Sequence, residues 1–370
     1  MSELAVPETP AELMTEPRHT ELLVSVKGVV KYFPIMGGIL RHKVGDVKAV
    51  DGVSFDIHKG EVFGLVGESG CGKTTLGRTV LYLQRPTAGS VEVGGQDLGS
   101  LKSRDLRRMR RRMQLIFQDP YGSLNPRMPV SDIIGEGLLA QGMKSSGARI
   151  KKVGDTLEAV GLRRDYTRRY PHEFSGGQRQ RIGIARALAL DPEFIVCDEA
   201  VSALDVSIQS QILNLLLDLR REFNLTYLFI AHNLSVIEYM SDRVGVMYLG
   251  KMAEVATADQ LFKQPRHPYS VALLSAIPVP DPRVRKKRLV LRGDVPSPAN
   301  PPSGCRFHTR CWLREKLGNP EQCSTIDPPL RDMGDGQMAA CHFAEQVGLQ
   351  VASEVAETQS VIDTAAALPE

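Results

Sequence analysis

The stretch Gly67-Glu68-Ser69-Gly70-Cys71-Gly72-Lys73-Thr74-Thr75 constrains this chain more than any other. It has the form G-x-x-x-x-G-K-[ST], a phosphate-binding loop. The apolar residues 62–66 before it read as a buried strand, and residues 76–81 behind it can open a helix. Strand, glycine loop and helix together are the context this motif needs. Its glycines let backbone N–H groups turn inward around phosphate oxygens, and the helix N-terminus adds partial positive charge. Lys73 is placed to reach the β- and γ-phosphates of a nucleotide, and the Thr74 hydroxyl to ligate Mg²⁺.

The 370 residues suffice for a large core and two domains. A net charge of +3 does not by itself imply nucleic acid or an anionic membrane. The most apolar run, residues 212–219, carries Asn214 and Asp218, so no bilayer-spanning segment is expected. Residues 1–20 lack the basic start and apolar core of a signal peptide, and they and the tail 346–370 read as disordered. Without export, the six cysteines are expected to stay reduced.

Residues 22–33 and 47–57 read as antiparallel strands joined by the Gly-containing loop 34–45. Residues 102–112 read as a helix with a solvated arginine face, and residues 113–117 as a strand ending at Gln118. Helices follow over 131–141 and 148–160, each with Gly at its C-terminal end. Ser175-Gly176-Gly177-Gln178 opens another helix, to about residue 190. Residues 194–197 form a buried strand ending in Asp198-Glu199, residues 207–223 an amphipathic helix, and residues 227–231 a buried strand ending at His232. The alternation predicts an α/β fold with a mainly parallel sheet. Prolines accumulate after residue 264, followed by a basic run at 283–288, which predicts a linker into a smaller module, residues 265–345.

Three features narrow the chemistry. Asp198 can hold Mg²⁺ through water while Glu199 polarises an attacking water. Ser175-Gly176-Gly177-Gln178 is a second glycine-bearing helix N-terminus that could face phosphate. His232, at a strand end, could touch a γ-phosphate. Cys71 and Cys197 need only their size and read as packing residues.

This set, in this order, resembles the nucleotide-binding subunit of an ABC transporter: Walker A at residues 67–75, the Q-loop at Gln118, the signature at 175–178, Walker B at 194–199, the D-loop at Ser202-Ala203-Leu204-Asp205 and the switch histidine at His232. Ala200 departs from the proline often found there. The resemblance covers about residues 22–264 and implies a P-loop NTPase cassette over 21–264, with an antiparallel β subdomain and a helical signature subdomain. Tyr32 sits where that family places an adenine-stacking aromatic. The phrases Phe117-Gln118-Asp119-Pro120-Tyr121, Tyr248-Leu249-Gly250-Lys251 and His267-Pro268-Tyr269 are similar to those of dipeptide/oligopeptide importer ATPases, a subfamily that includes nickel importers.

The resemblance implies two cassettes meeting head to tail, each ATP held by one phosphate loop and the other signature, with the D-loop Asp205 among the ATP-binding residues. Glu199 would be the general base, His232 would hold the γ-phosphate and water, and Gln118 would complete the Mg²⁺ shell. The implied partners are two integral membrane permease subunits, a second ABC ATPase, usually a paralogue, and an extracytoplasmic peptide-binding protein, at the cytoplasmic face of the membrane and without nucleic acid. The competing readings are a nickel importer, a soluble ABC ATPase acting on DNA or ribosomes, and a metal-sensing regulator. The short helices between residues 75 and 195 lack the coiled coil of DNA-repair relatives, and one cassette is fewer than ribosome-acting relatives carry.

Cys305, Cys311, Cys323 and Cys341 lie in the small module with no close C-x-x-C pair, which weakens a zinc-ribbon reading. Similar importer ATPases point to a [4Fe–4S] cluster. Zn²⁺, with His308 or His342 replacing a ligand, and unmetallated thiols are the alternatives. A cluster there would be a structural staple, remote from the ATP.

Overall fold

In the computed structural model, residues 21–38, 42–277 and 289–347 are described. The terminal segments expected to be disordered, apart from residues 346 and 347, and residues 278–288 of the expected linker lie outside them, whereas Pro268–Ser275 of that linker is a helix. The chain runs β1 (Leu22–Gly37), β2 (His42–His58), β3 (Val62–Val66), α1 (Lys73–Val80), β4 (Ala88–Val93), β5 (Gln96–Asp97), α2 (Ser103–Arg112), β6 (Met113–Ile116), α3 (Val130–Ala140), α4 (Ser146–Ala159), α5 (Gly176–Leu188), β7 (Phe194–Asp198), α6 (Val206–Phe223), β8 (Thr226–Ile230), α7 (Leu234–Met240), β9 (Arg243–Tyr248), β10 (Lys251–Thr257), α8 (Ala258–Lys263) and α9 (Pro268–Ser275). Two short helices, α10 (Trp312–Lys316) and α11 (Gln322–Thr325), and two short strands, β11 (Arg331–Asp332) and β12 (Met338–Ala339), complete it.

Two sheets organise these elements. One is antiparallel, in the order β2-β1-β4-β5; the other has eight strands, in the order β11-β12-β10-β9-β3-β8-β7-β6. In the second, β9, β3, β8, β7 and β6 are parallel, while β10, β12 and β11 add antiparallel pairs at one edge. Every residue of β3, β7 and β8 is buried, as expected of strands covered on both faces. Their side chains feed two apolar cores: one beneath α3–α6, the other between the sheets, where Phe55 stacks on Phe63 at 4.9 Å.

Two expectations need correction. The loop expected over 34–45 is largely strand, because β1 and β2 continue as a twisted ribbon with several register shifts. The C-terminal module is not a separate body: β12 pairs with β10, extending the main sheet, and Phe307 is buried in the core beneath α3–α6. Glu254 fastens this junction. Fully buried on β10, its carboxylate accepts from the Arg266 and His267 amides at 2.8 and 2.9 Å and from Gln337 Nε2 at 2.8 Å. Elements after His232 were not legible in the sequence, since β9, β10 and α9 are nearly all apolar and carry no period.

Candidate functional site

The phosphate loop joins β3 to α1 at the C-terminal end of the parallel strands, where α/β proteins place ligands. Its glycines are obligatory for contact reasons as well as for turning. A Cβ at Gly67 (φ 154°) would lie 2.1 Å from the Met247 carbonyl oxygen, and one at Gly72 (φ 107°) 2.1 Å from that of Ala49. Lys73 is buried and donates to the Gly67 and Glu68 carbonyls at 2.8 and 3.1 Å, so its ammonium lies inside the ring of the loop. Ser69 and Gly70 form the loop's outer edge, both exposed, and Thr75 sits half-buried in the first turn of α1. Cys71 is buried, and burial raises its thiol pKa. Its role is packing, as expected, and the same holds for Cys197 on β7.

The end of β7 brings the acidic pair to this loop. Thr74 Oγ1 donates to Asp198 Oδ1 at 2.8 Å, and Arg78 lies 4.0 Å from the other carboxylate oxygen. Burial raises the Asp198 pKa, opposed by the Thr74 hydrogen bond and the Arg78 charge. Glu199 has φ 49°, a left-handed conformation that a non-glycine residue seldom adopts. Its amide donates to the Ile230 carbonyl at 3.0 Å, so the neighbouring strand holds the unusual turn in place. The turn swings the Glu199 carboxylate out of the strand. There Gln118 Nε2 lies 2.8 Å from Oε2 and His232 Nδ1 3.5 Å from the same oxygen. Three strands, β6, β7 and β8, thus deliver Gln118, Asp198–Glu199 and His232 to one edge.

Ser175 lies elsewhere. It is the N-cap of α5, accepting from the Gln178 amide at 3.3 Å, while Gln178 Oε1 accepts from the Ser175 amide at 3.1 Å. This reciprocal box orders the turn that presents Gly176 and Gly177. Among the described residues no hydrogen bond or ion pair joins residues 175–178 to the phosphate loop. The turn packs instead on the segment after Gln118: Arg179 lies over the Tyr121 ring at 4.3 Å and Arg186 donates to the Ser123 carbonyl at 2.6 Å. Asp205 is exposed at the N-cap of α6, at the end of the turn that follows Glu199.

Tyr32 lies on β1, half-buried, and its hydroxyl donates to Asp51 on β2. Burial and this carboxylate push its pKa up to about 12. Sequence reading missed four residues behind the loop. The Glu68 amide donates to Tyr269 Oη at 2.8 Å, and Arg310 grips the Glu68 carboxylate with both Nη atoms, at 2.8 and 3.2 Å. Arg306 donates to Asp51 and to the Leu249 carbonyl. His267-Pro268-Tyr269 was visible as a phrase, but nothing in its spacing tells that Tyr269 meets the phosphate loop.

The four tail cysteines line one small cavity, together with His308, His342 and Arg314. Among the described residues no three Cys, His, Asp or Glu side chains are close enough to ligate one ion. Burial pushes the thiols up, to about 12 at Cys305 and about 11 at Cys311, and raises Cys323 and Cys341 as well. The module that carries these cysteines lies against the phosphate loop. Arg306 follows Cys305, Arg310 precedes Cys311, and Arg310 reaches Glu68 of the loop itself.

Comparison with known proteins agrees with this geometry. The ABC transporter family model matches residues 50–202, and the model for the oligopeptide/dipeptide transporter C-terminal region matches residues 253–317. The chain is 52% identical over 326 residues to the oligopeptide transport ATP-binding protein AppF of Bacillus subtilis, covering 87% of this chain and 98% of that protein. It is 54% identical over 319 residues to a putative peptide import ATP-binding protein of Brucella ovis, covering 86% and 97%. The dimeric, post-hydrolysis structure of the ATP-binding cassette MJ0796 bound to ADP and Pi superposes with a TM-score of 0.57 at 28% identity, covering 64% of this chain and 99% of that one. The chain belongs to the ABC transporter family, among the ATP-binding proteins that carry the oligopeptide/dipeptide transporter C-terminal region.

Proposed function

We propose that this chain is the ATP-hydrolysing subunit of a peptide importer. The observation that carries the reading is the convergence of Lys73, Thr74, Asp198, Glu199, Gln118 and His232 at one sheet edge, in a chain about half identical to peptide-import ATP-binding proteins. The nickel-importer and soluble-ATPase alternatives are not favoured by those relatives. Co-purification with membrane permeases, followed by peptide-stimulated ATPase assay in liposomes, tests it. ATPase activity indifferent to peptide and permease would refute it.

Gly67 to Thr75 bind the nucleotide, with Lys73 on the β- and γ-phosphates and the Tyr32 ring against adenine. Thr74 and Asp198, adjacent oxygen donors, would hold Mg²⁺, with the side-chain oxygen of Gln118, whose amide nitrogen bonds Glu199, completing the shell; the ion would supply charge neutralisation on the phosphate oxygens. Glu199 takes the proton from the attacking water, and His232, on the same carboxylate oxygen, orients that water and the γ-phosphate. The exposed signature turn, residues 175–178, and Asp205 act on the ATP of a second cassette in a head-to-tail dimer. Tyr121, 59% exposed and packed on α5, would touch a membrane subunit and pass nucleotide state to it. Among the described residues no helix is long and apolar enough to cross a membrane, consistent with a peripheral place on permeases at the cytoplasmic face. The full assembly has two permeases, a second ATPase and an extracytoplasmic peptide-binding protein.

The tail cysteines are read as ligands of a [4Fe–4S] cluster, with Zn²⁺ as the alternative. Four thiols around one cavity fit the donor set, and the Arg314 and Phe343 amides already donate to Cys311 and Cys341 sulfur at 3.4 Å. Loading requires the thiols to deprotonate and draw together, so metal affinity should rise with pH.

A further inference from the structure

The nucleotide site is closed from behind by the C-terminal module, through two arginines four residues apart. Arg310 and Arg306 are 8% and 7% exposed at their side chains, while their partners Glu68 and Asp51 are 26% and 20% exposed, so solvent screens these pairs less than surface ion pairs. Arg310 meets the carboxylate of Glu68 as a two-pronged fork, a geometry that fixes direction as well as distance. Glu68 occupies one of the free positions of the phosphate loop, and its carboxylate would otherwise stand unneutralised beside a bound polyphosphate. Burial works against the Arg310 charge, and its bonds to Glu68 and Tyr248 outweigh that, so the cation is held in place. Behind it the rings of Tyr248, Tyr269 and Phe307 stand 4.7–5.3 Å apart, and Tyr269 Oη accepts a hydrogen bond from the Glu68 amide. Arg306 works at the other end of the site. It donates to Asp51, the same carboxylate that accepts the Tyr32 hydroxyl.

We infer that Arg310 and Arg306 are positioning residues for nucleotide binding: Arg310 sets the phosphate loop through Glu68, and Arg306 sets Tyr32 through Asp51. The inference rests on the nucleotide reading above. It gives the C-terminal module a part in ATP binding and makes the module's folding a condition for a formed site.

The two arms make separable predictions, read as Kd of the full-length chain for ATP and for inorganic tripolyphosphate, with Tm measured in parallel. Arg310→Ala should weaken ATP and tripolyphosphate alike, about tenfold or more. Arg310→Lys should recover part of the loss. Arg306→Ala should weaken ATP by a similar factor and leave tripolyphosphate within about twofold. Because Arg310 acts through Glu68, Glu68→Ala combined with Arg310→Ala should bind no more weakly than Arg310→Ala alone. Where an alanine variant does not fold, Arg310→Lys and Glu68→Gln carry the same comparison. Unchanged affinity in Arg310→Ala, additive losses in the double variant, or equal loss of both ligands in Arg306→Ala would each overturn the inference. Lys73→Ala separates the two levels. Binding lost in Lys73→Ala and kept in Arg310→Ala sinks the brace alone, whereas binding kept in Lys73→Ala sinks the nucleotide site and the brace with it.

Discussion

Gln118 and Glu199 are hydrogen-bonded, Nε2 to Oε2 at 2.8 Å, and His232 approaches the same oxygen at 3.5 Å. A carboxylate held by an amide and an imidazole, on a residue with φ 49°, is aimed rather than merely exposed. Glu199→Gln should therefore keep ATP affinity and lower turnover by roughly 10²–10⁴, the worth of a positioned general base. Single-turnover ATPase measurements on the assembled transporter check it, and near-normal turnover would remove Glu199 from the role.

Tyr32 has two functions to separate, a ring face and a hydroxyl on Asp51. Tyr32→Ala should cost roughly 1–3 kcal/mol of ATP affinity if the ring stacks on adenine. Tyr32→Phe keeps the ring and loses only the hydroxyl bond to Asp51 through which Arg306 acts, so it should cost about 0.5–1.5 kcal/mol, no more than Arg306→Ala. Titration with ATP and GTP in both variants gives the comparison; equal losses would assign the ring to packing.

The signature turn offers one clean position. A side chain at Gly177 would strike Ile208 Cγ2 at 2.5 Å, so substitution there disturbs its own chain. At Gly176 a Cβ meets only Tyr121 Oη at 3.4 Å and Leu204 at 3.7 Å. Gly176→Asp should leave Tm and single-chain ATP binding nearly unchanged while blocking ATP-dependent dimerisation, since it sets a carboxylate where a phosphate is to dock. Size-exclusion chromatography with the Glu199→Gln background reads this out. Loss of monomer binding would place the turn in the chain's own site.

Anaerobically purified protein should be brown, with about four irons per chain. Any one of Cys305→Ser, Cys311→Ser, Cys323→Ser or Cys341→Ser should lower iron and expose the tail to protease, whereas Cys71→Ser and Cys197→Ser should not. Stoichiometric zinc in colourless protein would move the assignment to Zn²⁺, and metal-free protein with an ordered tail would end the staple reading.

Glu254 predicts how the module stays attached. Glu254→Ala should cost about 3 kcal/mol or more, because two buried amides and the Gln337 side chain lose their acceptor. Burial raises its pKa above 4.5, so the protonated form contributes stability fully present below pH 4.5 and lost as pH rises through the folded value. Glu254→Gln should be milder than Ala and flatten the stability profile above pH 4.5. A Tm series over pH 4–8 decides it.

Local chemistry by itself marked the candidate phosphate loop, the acidic strand end at Asp198–Glu199, the glycine turn at Ser175 and His232 at its strand end. Each is a short stretch whose residue types and spacing suit the proposed function: glycines where backbone would meet phosphate, carboxylates where a strand stops. The parallel core was legible for the same reason, as fully apolar strands of five residues such as Tyr227-Leu228-Phe229-Ile230-Ala231 leave one arrangement open. Only the tertiary structure decided which side chains meet across the chain. Arg310 and Glu68 are 242 residues apart, and Arg306 and Asp51 are 255 apart. No periodicity encodes such pairs. They exist because β12 joins β10 and the cysteine module packs against the phosphate loop.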